Sequence, residues 1–302
     1  MPDDATTSSP CNIILPPHDW HKDSLVDPPT GSMRVTFTRV LNFPGHSKLL
    51  LCTVPGCNSK WARRFGLALY AAMSNSSAPL NYNQNVQMND IAATTPLLQA
   101  LEALPWTNVT LIACSGAWQR VAVVRNPYMR VLSKFIDKIV DNMPRTVQET
   151  NYSEYAKPYR FEDGQHFDRF VGRLMEVSDG GSRHTLPESS YVNGHFRSMS
   201  NFCAMRYVPY TYLHQEELHV SAPALVARLG LSGDANVRAT LAELRPYNAC
   251  ADAVRIRTWY DRPTAARVRS YYAEDFRRLG YSPHPPSVEH ACHQQHQKVA
   301  RR

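Results

Sequence analysis

Apolar positions along the chain change their period several times, and each change marks an element. Residues 48–54 carry Leu49, Leu50, Leu51, Cys52 and Val54 in a near-continuous apolar run, which predicts a strand buried within a sheet. The β-branched run at residues 120–125 predicts a second such strand, and Pro127 after it suits a helix's first turn. Helical spacing follows both strands. After the first, Trp61, Phe65, Ala68, Leu69 and Ala72 form a stripe with Arg63 and Arg64 on the other side. After the second, Val131, Leu132, Phe135, Ile136, Ile139 and Val140 form one face, while Arg130, Ser133, Lys134 and Asp137 point elsewhere. Val35, Phe37 and Val40 alternate within residues 34–43 and predict an edge strand. Further helices are predicted over 90–104, along Phe167, Phe170, Val171, Leu174 and Met175, over 221–230 with Ser221 as cap, and over 235–244. A last helix starts at Asp261, runs through Val268, Tyr271, Tyr272, Phe276 and Leu279, and stops at Gly280. Strands alternating with helices place the chain in the α/β class, with a central parallel sheet and helices on both faces.

The remaining stretches divide the chain. Residues 1–33, rich in Pro, Asp, Ser and Thr, read as a flexible N-terminal arm; 34–281 as one domain; and 282–302, rich in Pro and His, as a flexible C-terminal tail. His290, His293 and His296 in that tail are metal-ligand residue types, but a solvated tail is the plainer reading. Residues 74–89 and 178–194 form long polar loops, and 143–165 is irregular. A chain of 302 residues with 43% hydrophobic content can bury one full α/β core. Its net charge of +7 attracts anions, whether nucleotide, acidic polysaccharide, nucleic acid or membrane headgroup. The basic residues are scattered and no zinc-finger or aromatic-basic RNA motif is present, which argues against nucleic acid. Seven cysteines without a Cys-x-x-Cys pair imply neither a metal site nor a dense disulfide framework. No apolar run reaches the roughly 18 residues of a membrane span, and no secretory leader pattern is read. Asn75, Asn108 and Asn151 lie in glycosylation sequons, a few of which this composition produces by chance.

Two places carry candidate chemistry. The turn Pro55-Gly56-Cys57-Asn58-Ser59-Lys60 joins a strand to a helix, where backbone N–H groups and the helix dipole favour an anion. Gly56 lets the backbone come close. The Gly-x-x-x-x-Gly-Lys-Ser/Thr pattern is absent, so this is not a Walker loop. Arg125 ends the second strand, and ligands of open α/β sheets bind outside the carboxyl ends of strands, so its guanidinium is placed to meet a phosphate. Each motif alone is also ordinary strand-turn-helix structure.

Val124 to Ser133, Val-Arg-Asn-Pro-Tyr-Met-Arg-Val-Leu-Ser, resembles the 3′-phosphate-binding motif of sulfotransferases, Val-Arg-Asp-Pro-aromatic-x-Arg-x-x-Ser, with Asn126 where Asp is usual. The segment Cys52 to Trp61 is similar to the 5′-phosphosulfate loop of Golgi carbohydrate sulfotransferases, Val-Pro-Lys-x-Gly-Cys-Thr-x-Trp-Lys, without the Lys between Pro and Gly and with one residue inserted before the Trp. His195, Cys203 and Glu217 keep the family's offsets, although Arg206 stands where a second Cys is usual, so no disulfide is expected at that point. Tyr-Tyr-Ala-Glu-Asp-Phe-Arg-Arg-Leu-Gly-Tyr, ending at Tyr281, resembles the family's C-terminus.

The resemblance, closest to chondroitin 4-sulfotransferases, implies a P-loop-like three-layer sandwich and a Golgi-lumenal or membrane-associated setting; with no anchor read from the chain, a soluble cytoplasmic one stays open. It implies in-line transfer of a sulfuryl group from 3′-phosphoadenosine-5′-phosphosulfate (PAPS) to a hydroxyl of a carbohydrate, possibly acidic, without a metal. Gly56, Cys57, Asn58, Ser59, Lys60 and Trp61 would hold the phosphosulfate, and Arg125 and Ser133 the 3′-phosphate. Lys60 takes the role of the missing loop Lys, with Arg63 or Arg64 as fallback. His195 is the expected base, with Glu162, Asp163 and Glu217 as alternatives. Two rivals stay open: an inactive relative that binds an anionic glycan or nucleotide, and a P-loop-type kinase, which the missing Gly-Lys-Ser/Thr disfavours.

Overall fold

The computed structural model describes residues 38–41, 47–74, 112, 114–140, 167–172, 174, 196–203, 205–206 and 208–300. The N-terminal arm, the helix expected over 90–104, the irregular 143–165 stretch, the loop 178–194, all but the first residue of the 74–89 loop, and Glu162, Asp163 and His195 lie outside those residues.

Among the described residues, four strands form one sheet in the order β1-β2-β3-β4. The apolar run becomes β2 (Lys48–Thr53), with Leu49, Leu50, Leu51 and Cys52 fully buried. β1 (Thr38–Leu41) pairs with it antiparallel at the edge, Leu41 opposite Leu49. β3 (Trp118–Val124) runs parallel to β2 with Thr53 opposite Val123, and β4 (Thr211–His214) runs parallel to β3 with Val124 opposite His214. The parallel strands β2 and β3 therefore end beside each other, and the residues that follow them emerge at one edge.

Each of those two strands feeds a helix. α1 (Ser59–Met73) follows β2, and α2 (Pro127–Phe135) follows β3, continued by a π-helical turn at Ile136–Val140. α2 starts where it does because Pro127 occupies its first turn and the Asn126 side chain accepts from Tyr128 N at 3.0 Å. The Asn for Asp exchange thus preserves the cap acceptor.

The later helices are α3 (Leu218–Arg228), α4 (Ala235–Ala242), α5 (Ala249–Trp259), α6 (Arg262–Tyr271), α7 (Ala273–Leu279) and α8 (Val288–Ala300). One apolar cluster joins the sheet to α1, α3 and α4. Trp61 Nε1 donates to Thr240 O at 3.0 Å, and Arg64 pairs with Glu243, so α4 is fastened to α1. A second cluster of aromatic rings joins α2 and the helical residues 167–172 and 174 to α5, α6 and α7. In it, Phe135 packs on Phe167 and Phe170, and Tyr260 OH donates to Tyr128 O at 2.8 Å.

Several expectations are corrected. The tail at 282–302 carries α8, which packs on α5 and is tied to it by a Cys250–Cys292 disulfide; composition concealed a helix that tertiary contacts hold. A disulfide does form at Cys203, with Cys52 on β2 and not with a neighbour in sequence. The helix expected from Ser221 begins at Leu218; Ser221 sits inside it and donates to Glu217 O at 3.0 Å, and Pro223 is likewise interior. The single helix read after Asp261 is two, because Tyr272 leaves helical geometry at φ −98°, ψ 23° while its buried hydroxyl donates to Phe196 O. Gly280 ends the second with a left-handed φ of 74°, as its position suggested.

Candidate functional site

The turn after β2 is tight and buried. Val54 and Cys57 are fully enclosed, and Cys57 N donates to Val54 O at 3.1 Å. Gly56 has φ +84° and Asn58 φ 53°, both left-handed, a conformation natural to Gly and tolerated by Asn. Asn58 makes no side-chain cap on α1, and α1 has no acidic residue in its first turn, so the positive end of its dipole is not offset from within the helix.

The motif after β3 folds back onto this turn. Arg125, half-buried at the carboxyl end of β3, donates from Nη1 to Gly56 O at 3.4 Å. Arg130, one turn into α2, is fully buried; its Nε donates to Pro55 O at 2.8 Å and its Nη1 to Arg197 O at 2.7 Å. Its guanidinium lies 5.9 Å from the centre of the Phe202 ring, and Nη2 is buried without a hydrogen-bond partner among the described residues. Lys134 follows four residues later, with Nζ 2.7 Å from Asp137 Oδ2. A Cβ placed on Gly56 would stand 3.1 Å from Lys134 Cε and 3.2 Å from Arg130 Cγ. Side chains of α2 therefore press directly on the turn. Ser133 lies half-buried on the same helix.

Glu216 fixes the start of α2 from outside. Asn126 N donates to its Oε1 at 2.9 Å, and Tyr281 OH to its Oε2 at 2.9 Å. Burial, then the Glu216 carboxylate, push the Tyr281 hydroxyl well above its usual pKa. Glu216 thus orients the start of α2; Glu217, an alternative base in the sequence reading, is exposed and stands immediately before α3.

A third segment, 196–203, closes the arrangement, held by α7 as well as by Arg130 and the Cys52–Cys203 disulfide. Asp275, fully buried on α7, accepts from Ser198 Oγ at 2.6 Å, Met199 N at 2.7 Å and Ser200 N at 2.8 Å. Arg278 donates to Met205 O and Arg206 O, each at 3.2 Å. His195 is the residue just before this segment.

Not every expected ligand faces outward. The Trp61 ring is buried against Phe65, centres 4.8 Å apart, and belongs to the core. Burial pushes the Cys57 thiol up to about 12, against the opposing effect of Arg130 and Arg125, and its Sγ lies 3.5 Å from Met199 Sδ. Cys57 thus stays protonated and offers only its backbone. Ser59 and Lys60 open α1, and their side chains lie outside the description. Arg130, Lys134 and Glu216 were not picked out by sequence reasoning. For Arg130 a clue existed, because the motif itself carries an Arg at that place.

A cavity of about 470 Å³ opens beside Asn58 and Trp61, bounded also by Arg64, Gln215, Arg245 and Tyr247. Burial raises the Tyr247 hydroxyl, with Asp252 adding to the effect. Among the described residues no group of three or more His, Cys, Asp or Glu is placed to hold a metal. The chain matches the model of the sulfotransferase family over residues 41–282. It matches no curated protein and no solved structure.

Proposed function

Because this chain belongs to the sulfotransferase family, we propose that it is a PAPS-dependent carbohydrate sulfotransferase related to the chondroitin 4-sulfotransferases, built as a P-loop-like three-layer sandwich. The observation that carries this reading is the 3.4 Å contact between Arg125 Nη1 and Gly56 O. It joins two motifs 69 residues apart that would hold opposite ends of one donor.

The residues present suit such an anion. Arg130 holds a buried, desolvated charge with an unpartnered Nη2, and an unpaired buried donor is costly without an acceptor. Arg125 and Ser133 would hold the 3′-phosphate. The backbone from Gly56 to Trp61 and the first turn of α1 would take the phosphosulfate, and the cavity beside Asn58 offers room for the rest of the nucleotide. Bound there, the donor supplies a sulfuryl group, which forms a bond to the acceptor oxygen as its bond to the bridging phosphate oxygen breaks and the hydroxyl gives up its proton. The protein's work is then to align and to supply positive charge. Lys60 is the loop's candidate cation and His195 the proposed base that takes the proton. The acceptor is a glycan hydroxyl, and the basic surface suits an acidic glycan.

The disulfides Cys52–Cys203 and Cys250–Cys292 support an oxidising compartment such as the Golgi lumen. No helix of the described residues is long and apolar enough to cross a membrane.

The test is thermal stabilisation by 3′-phosphoadenosine-5′-phosphate compared with ADP, on the wild type and on Arg125→Ala. At a hundredfold excess over Kd the product nucleotide should stabilise the wild type by about 2.7 kcal/mol, ADP far less, and the variant should lose the response. Equal shifts with both nucleotides would end the donor assignment. One observation favours a second reading, an inactive relative that binds an anionic glycan or nucleotide: residues 54–58 contain no Lys. Nucleotide binding without sulfuryl transfer to any glycan would select it.

A further inference from the structure

The turn from Val54 to Asn58 carries no cationic side chain of its own, yet transfer from a phosphosulfate leaves negative charge at the phosphate that departs. An enzyme stabilises such charge with a preorganised donor or cation aimed at the place where it develops. Resting on the donor reading above, we infer that Lys134 of α2, in place of the Lys60 suggested by motif position, supplies that positive charge from across the fold, with Asp137 as its positioning residue.

Four observations converge. Lys134 Cε and Cγ lie 3.1 and 3.2 Å from the point where a Gly56 Cβ would stand, so its alkyl stem runs across the turn. The side chain is only 14% exposed and Nζ meets Asp137 Oδ2 at 2.7 Å, so the ammonium is held in place instead of sweeping through solvent. Arg130, four residues earlier and therefore on the same helix face, holds Pro55 O at 2.8 Å and fixes the turn against α2. Ser133, the neighbour of Lys134, is the proposed 3′-phosphate ligand, so α2 alone would reach both ends of the donor. A loop that has lost its lysine keeps its cation because the helix packed on it has one. Gly56 is part of the device, since any side chain there would displace the Lys134 stem.

The charge acts in one step only. As the sulfur–oxygen bond to the phosphate breaks, its electron pair stays on that phosphate oxygen beside Lys134, while the acceptor oxygen bonds sulfur and passes its proton to the base.

Binding alone tests this, with two probes that differ only at the 5′ end: 3′-phosphoadenosine-5′-phosphate and adenosine 3′-monophosphate. In the wild type the bisphosphate should raise the melting temperature more than the monophosphate. In Lys134→Met its Kd should rise about tenfold, the scale of one charged hydrogen bond, with the monophosphate response unchanged, so the gap between the probes closes. Lys134→Arg should keep the gap, and melting without ligand reports whether each variant is folded. A gap undiminished in Lys134→Met overturns the inference while leaving the donor reading intact, and so does equal weakening of both probes. If neither probe stabilises the wild type, the donor reading falls and takes this inference with it.

Discussion

Asp275 shows how much one residue can hold. Its carboxylate is fully buried and accepts three hydrogen bonds from residues 198–200. Asp275→Ala would leave two backbone N–H groups and a hydroxyl without their acceptor, and a buried donor left unpaired costs about 1–3 kcal/mol. We expect a loss of about 3 kcal/mol in urea unfolding; a loss under about 1 kcal/mol would mean that water replaces the carboxylate. At this scale the sequence was partly readable. Arg125 could be placed because a strand's end fixes where the next side chain emerges. Arg130 could not be placed in the interior, since local periodicity sets it off the apolar face of α2 and its partners, Pro55 O and Arg197 O, lie 75 and 67 residues away. Trp61 and Cys57 turn their side chains away from the turn for the converse reason. Their motif positions are right, but their side chains complete the core.

Among elements, the turn between β2 and α1 is the most constrained. Gly56→Ala combines a left-handed φ with contacts of 3.1–3.2 Å to Lys134 and Arg130. A non-Gly residue in that region costs about 1–2 kcal/mol, and that is the destabilisation expected from chemical denaturation. The same variant should weaken the response to 3′-phosphoadenosine-5′-phosphate, because the displaced Lys134 stem no longer crosses the turn. Unchanged stability would show that the turn relaxes to accept the methyl group. β2, β3 and the starts of α1 and α2 were legible to within about two residues, because apolar period marks all four and Pro127 with the Asn126 cap marks the start of α2. The break at Tyr272 and the existence of α8 were not, because long-range bonds set them: Tyr272 to Phe196, and Cys250 to Cys292. Pro and His in the last segment resembled a tail only while its partner helix was unknown.

For the whole molecule, the Cys52–Cys203 disulfide spans 151 residues and joins the strand leading into the turn to the segment held by Asp275. Closing a loop of that length in the unfolded chain corresponds to roughly 5 kcal/mol. The double variant Cys52→Ala/Cys203→Ala should therefore melt well below the wild type and respond less to nucleotide; identical melting curves would mean that the bridge adds nothing to the folded chain. Asp275, Tyr272, Arg278 and Tyr281 all act on residues far earlier in the chain. A ribosome making this protein thus releases β2, α1, β3 and α2 long before the groups that lock them into register exist. The nascent chain can collapse early around its sheet, but the proposed anion site gains its last tie, Tyr281 to Glu216, only when Tyr281 has left the exit tunnel, so a message cut short of that codon should yield a chain that does not answer to nucleotide.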